Sequence, residues 1–269
     1  PSLMLEEDAP QTPWSLKPFL TAPESVELAP GESKYVPFTI KIPEGQGAGS
    51  YYSAVKYDPQ NSGDDDAVQI TGAPTQLVFV TVPGKATELM TLEKFGAYEV
   101  KDGEANGKYK SLFISKQPEK FAYLLRNAGN VAENPAGSIQ IKNIFGKTVK
   151  TIENINPRKN LALIDQTRRF ETCIISETKE VKQNNRTVKV EECKSPGLLP
   201  GIYKAQLNAF YGINGSSTQE INATATFWYL PWWFLGIVLA FLAILAFVIY
   251  KVRQNLIGTT SHRRGKEKR

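Results

Sequence analysis

The sequence predicts an all-β protein, two β-sandwich domains in tandem followed by one transmembrane helix, and three observations predict it. Short stretches with period-2 alternation of apolar and polar residues recur between Gly, Pro and Asn turns along most of the chain. Helical periodicity is absent until the C-terminal end. There, from Trp232 to Tyr250, the chain runs without a charge, a proline or a side-chain amide.

That last stretch spans about 28 Å at ~1.5 Å per residue, close to the hydrocarbon thickness of a bilayer. Trp228, Trp232 and Trp233 gather at its start and Tyr250 marks its end, the placement of interfacial aromatic belts. Lys251 and Arg253 follow at once, so the positive-inside rule puts the C-terminal tail in the cytoplasm and the β-rich part outside the cell. A buried core helix is the competing reading, and the length and flanks outweigh it. Gly236, Ala240 and Ala243 share one helix face, a small-residue spacing that permits helix pairing and is common in spans generally.

The net charge of +5 would suggest nucleic acid if taken whole. Lys251, Arg253, Arg263, Arg264, Lys266, Lys268 and Arg269 face only Glu267 in the tail, and they account for all of it. Residues 1–250 are slightly acidic and lack the basic surface that phosphate backbones require, so nucleic acid is not an expected partner. The lipid bilayer is. The chain opens PSLMLEEDAP, with neither a basic start nor an apolar stretch, and is read as a fragment or processed chain whose leader lies upstream.

The first domain is assigned to 1–84. After Pro30-Gly31, Val36, Phe38, Ile40 and Ile42 alternate with Tyr35, Pro37, Thr39 and Lys41, a strand with Pro37 at an edge. Ser50–Tyr57 reads as a second strand and Leu77–Val82 as a central one, closed by Pro83-Gly84. This is short for a complete sandwich of ~100 residues. The second domain is assigned to 85–228. Phe121–Leu125 ends in the turn Asn127–Asn130, Ser138–Ile141 and Lys147–Ile152 form a hairpin around Asn143–Gly146, and Tyr203, Ala205, Leu207, Ala209 and Tyr211 share one face of a long strand. Glu220–Tyr229 is the last strand; 229–251 is the span and 252–269 the basic tail.

Cys173 and Cys193 are the only cysteines. The charged, alternating stretch between them has a polar apex at Gln183-Asn184-Asn185, which suits a hairpin whose base a disulfide closes in an oxidising compartment. Two free thiols are the alternative; a zinc site fails because two cysteines with no histidine nearby cannot complete it.

LRNAGNV (Leu125–Val131), RRF (Arg168–Phe170), LPGIY (Leu199–Tyr203), FYG (Phe210–Gly212) and FWYLPWW (Phe227–Trp233), preceded by LAPGES (Leu28–Ser33) and GSYYSAV (Gly49–Val55), stand in this order ahead of the span. With a Gly146-Lys147 turn between them, they resemble the bacterial WxL-interacting cell-surface family. The resemblance covers most of the chain and implies two immunoglobulin-like domains, the first binding peptidoglycan and the second a WxL-type surface protein. The Cys173–Cys193 excursion and the short first domain depart from the family's pattern.

Catalysis finds little support. His262, the only histidine, lies in the tail, which excludes Ser-His-Asp and Cys-His arrangements outside the membrane. No phosphate loop precedes a helix, and no cofactor or metal is expected. Asp64-Asp65-Asp66 and Glu191-Glu192 are the carboxylates open to a hydrolase reading, which solvated loop acids outweigh. The expected function is that of a membrane-anchored adhesion-type scaffold holding a cell-wall glycan or a surface protein. The alternative is an accessory subunit of a membrane-embedded secretion or assembly complex, packed through Gly236 and Ala240. Partner contact is expected at Gln183, Asn184 and Asn185, and at Tyr51 and Tyr52, whose rings could stack on a sugar.

Overall fold

A computed structural model describes residues 12–29, 31–57, 74–100, 107–183, 186–212 and 219–264. Two small antiparallel pairs come first: β1 (Leu20–Thr21) with β2 (Thr39–Ile40), and β3 (Gly49–Lys56) with β4 (Thr75–Val82). Then follow β5 (Met90–Glu99), β6 (Lys108–Tyr109), β7 (Leu112–Phe113), β8 (Lys120–Asn127), β9 (Ala136–Asn143), β10 (Thr148–Ile152) and β11 (Thr167–Cys173). The hairpin β12 (Ile175–Gln183)–β13 (Arg186–Lys194) precedes β14 (Gly201–Tyr211), β15 (Gln219–Tyr229) and the helix α1 (Trp232–Arg264).

Two sheets make the main body. One has the order β10-β9-β14-β15-β7, the other β11-β8-β5-β6. The alternation read in β14 is realised residue by residue: Tyr203, Ala205, Leu207, Ala209 and Tyr211 are all buried. They face Phe121, Tyr123 and Leu125 of β8, which belong to the same core. Phe227 of β15 closes the gap between the sheets, stacked on Tyr203 at 5.4 Å and set edge-on to Phe121 at 5.7 Å and Phe113 at 6.3 Å. Each such buried aromatic is worth about 1.5–3 kcal/mol of transfer free energy, so this seam is where the body's stability concentrates.

The end of the body away from α1 is organised by buried amides. The Asn127 side chain donates to the carbonyls of Val131 and Ala162 and accepts from the Gly129 N–H, which satisfies it completely in the core. Asn130, three residues on, reaches the N-terminal unit and the stretch that follows it: its Nδ2 donates to Ala48 O (2.9 Å) and its backbone O accepts from Ser50 N–H (3.0 Å), while its Oδ1 accepts from the N–H of Thr87, just past the unit (2.7 Å). Gly49 sits at φ +149°, and a Cβ there would lie 2.4 Å from the Asn130 carbonyl, so only glycine permits this approach. The motif LRNAGNV is thus the fastening between the first unit and the body.

Several expectations are corrected. The alternation over 35–42 yields only the two-residue β2, because Pro37 lacks the N–H a longer ladder needs. Leu77–Val82 lies in β4, which pairs with β3 alone and leaves Leu77 and Phe79 exposed rather than central. Tyr51, expected to touch a partner, is 2% exposed; its ring packs near Trp14 and Phe19, and its hydroxyl donates to Gly47 O. Tyr52 is half-buried against Phe79. β5 escaped the sequence reading because a register shift between Leu92 and Lys94 breaks its alternation.

Candidate functional site

Cys173 and Cys193 are joined, with Cα atoms 5.1 Å apart, at the foot of the β12–β13 hairpin. The hairpin is held by its ladder from Ile175–Lys194 to Gln183–Arg186. Glu177 and Glu192 stand directly opposite each other, a repulsive pairing that Lys194 and Lys179 relieve by ion pairs to Glu177 and Glu192 respectively. Gln183 closes the ladder opposite Arg186, whereas Asn184 and Asn185 lie outside the described residues, as do Asp64, Asp65 and Asp66. Glu191 and Glu192 are neighbours on one strand, so their side chains leave opposite faces and do not converge as a hydrolase pair.

Beside the disulfide opens a cleft of about 300 Å³. Its floor is the stretch Arg169–Cys173 of β11; its walls are the 156–160 loop and the end of β13 at Glu191 and Cys193. The loop wall is pinned by Asn156, whose amide donates to Asn134 Oδ1, Pro135 O and Asn160 O and accepts from Asn160 N–H. Charges of both signs line the opening: Lys120 and Arg169 meet Glu171 at 3.7 and 3.0 Å, and Arg158 meets Glu191 at 3.8 Å. These pairs are solvated and contribute little to stability, about 0–1 kcal/mol each, which leaves them available to exchange partners.

The cleft runs along the outer edge of β11, the terminal strand of its sheet. Asn127 N–H bonds Gln166 O and Ile174 N–H bonds Glu119 O, so even-numbered residues of β11 address β8. Thr167, Arg169, Glu171 and Cys173 therefore turn their backbone groups toward the open side. A rigid polar cleft with a strand edge as its floor suits hydroxyl-rich or peptidic ligands better than an apolar small molecule. Among the described residues no three His, Cys, Asp or Glu side chains gather as metal ligands. Lys120, Asn156 and Arg158 had no signal in the sequence; only the topology assembles them.

Trp232–Gln254 of α1 is long and apolar enough to cross a membrane, and no part of it is buried in the protein. Trp232, Trp233 and Tyr250 are exposed on α1, Lys251 and Arg253 follow on the same helix, and Trp228 is partly exposed at the end of β15. Only Leu230 and Pro231 separate strand from helix, and Leu230 N–H bonds Phe113 O at 2.8 Å. No protein family, curated protein or solved structure matches the chain.

Proposed function

We propose that the chain is a single-pass membrane protein with its β-rich part outside the cell and its basic tail in the cytoplasm, serving as a non-catalytic scaffold that holds a cell-wall glycan or a surface protein. Its two immunoglobulin-like domains would be 1–84 and 85–228, in the manner of the WxL-interacting family it resembles. The observation that carries the reading is the unbroken passage from β15 into α1: a folded β body is fastened to an apolar helix with two residues between them. A surface held that tightly to a membrane presents partners to or from it. The cleft at the foot of the disulfide hairpin supplies the contact, with Lys120, Arg158, Glu171 and Glu191 exchanging their mutual ion pairs for a ligand's polar groups.

The test uses the full chain in lipid nanodiscs, mixed with purified cell-wall sacculi or with separated surface proteins. Saturable binding that weakens at least tenfold in a Lys120→Glu, Arg158→Glu variant of unchanged melting temperature supports the scaffold. Binding indifferent to that variant moves the site elsewhere. Recovery of partners only through detergent-extracted membrane proteins would instead favour the accessory subunit.

A further inference from the structure

The turn between β9 and β10 is built rigidly and tipped with hydrophobes. Asn143 N–H bonds Lys147 O and Gly146 N–H bonds Asn143 O, both at 2.9 Å, while Asn143 Oδ1 accepts from the N–H groups of Phe145 and Lys147. Gly146 takes φ +77°, the left-handed position of the turn. Every local requirement is met by Asn143 and Gly146, and the two remaining positions would ordinarily be polar. They are Ile144 and Phe145, 64% and 86% exposed. Lys142 and Lys147 flank them.

The register says which way this tip points. Gly201 of β14 pairs with Tyr229, the last residue of β15, and Tyr203 pairs with Asn143. The turn therefore leaves the body at the end from which α1 departs, two strands away from β15, or about 10 Å to the side. One or two residues beyond Asn143, at ~3.3 Å each, bring the tip level with Tyr229. Leu199, Leu112 and Trp228 are exposed at the same end, and Lys116 and Lys204 stand there with Glu119. The opposite end of the body carries Asn127, Asn130, Glu133 and Asn134 instead.

We propose that the β9–β10 turn is a second membrane contact: Ile144 and Phe145 enter the interfacial layer of the bilayer that α1 crosses, and Lys142 and Lys147 meet lipid phosphates. The inference rests on α1 spanning that bilayer. An amphipathic contact reaches roughly 5–10 Å into the headgroup and acyl boundary, and the register puts the tip level with Tyr229, three residues before Trp232 opens α1. A second copy of the chain is a poorer occupant, because each tip would bring its own pair of lysines against the other's. With two anchoring points the body cannot swivel about α1, and the hairpin cleft keeps one height and heading above the lipid.

The native cysteines are bridged, so single added cysteines can carry a nitroxide. In full-length protein reconstituted into nanodiscs of equal phosphatidylcholine and phosphatidylglycerol, labels at Phe145→Cys, and at Ile144→Cys with Phe145 intact, should show an oxygen-to-nickel collision ratio several-fold above that at Glu220→Cys. Lys142→Glu, Lys147→Glu should lower it toward the Glu220 value. A label at Leu242→Cys reads the helix centre. Lipid exposure at Leu242 with aqueous values at Ile144 and Phe145 would overturn the second contact alone. Aqueous values at Leu242 as well would overturn the spanning helix and the second contact together.

Discussion

The N-terminal unit and the two-sheet body are written in similar sequence, yet among the described residues only the body closes a two-layer core. In the body, Phe121, Tyr123, Ile139, Leu207 and Phe227 are essentially without solvent exposure because each sheet has another to face. In the unit, β3 and β4 pair with each other and β3 is bridged once by Ser15 at Tyr52. Leu77 and Phe79 stay 50% and 43% exposed, and among the described residues the buried side chains there are Leu16, Ser50 and Tyr51, the last under Trp14 and Phe19. Alternation makes a strand in both places. Burial needs a second layer.

The sharpest way to break this comparison is to truncate one aromatic on each side. Phe227→Ala should cost about 3–5 kcal/mol in denaturant unfolding, since it empties the seam between the sheets. Phe79→Ala should cost less than about 1 kcal/mol. Equal losses would mean that the unit carries a core of its own.

Glu133 offers a pH-dependent contrast within the body. It is 1% exposed, one oxygen accepts from Gly212 N–H, and burial pushes its pKa up to about 7, with the Glu88 charge adding to the rise and the Gly212 hydrogen bond opposing it. A carboxyl whose folded pKa exceeds its ordinary value of 4.5 binds its proton more tightly when folded. The stability it contributes is full below about 4.5 and is lost as pH rises through about 7, by roughly 3 kcal/mol at most. Glu133→Gln should flatten that part of the stability profile; a wild-type slope retained in the variant would remove Glu133 from the account.

Asn130 sharpens the comparison at its joint. Asn130→Ala removes the side-chain bonds to Ala48 O and Thr87 N–H, and should cost about 1–3 kcal/mol. Protease cleavage around Lys85 should speed up while the body's melting temperature falls less. The smallest effect is expected in the hairpin: replacing both Cys173 and Cys193 by Ser should loosen β12–β13, seen as faster amide exchange there, with the body's core protection kept.

What could be read from the sequence follows the same division. β14 and α1 were legible because one physical pattern dominates each, strict alternation against a two-layer core for the first and an unbroken apolar run for the second. The Cys173–Cys193 bridge was legible from composition and spacing. β5 was hidden by its bulge at Leu92–Lys94, and β4 was misplaced because Leu77 and Phe79 look like core residues yet no described element covers them. The cleft was invisible beforehand, since Lys120, Asn156, Arg158 and Glu191 come from separate strands and loops that only the sheet order brings together.

The central claim is that this body meets its partners through the cleft at the hairpin foot, above the membrane. A photo-crosslinking residue placed at Arg158, and separately at Gly236 on α1, tests it in intact cells. The account predicts adducts to cell-wall material or a surface protein at Arg158 and only lipid at Gly236. Protein adducts at Gly236, with none at Arg158, would contradict it.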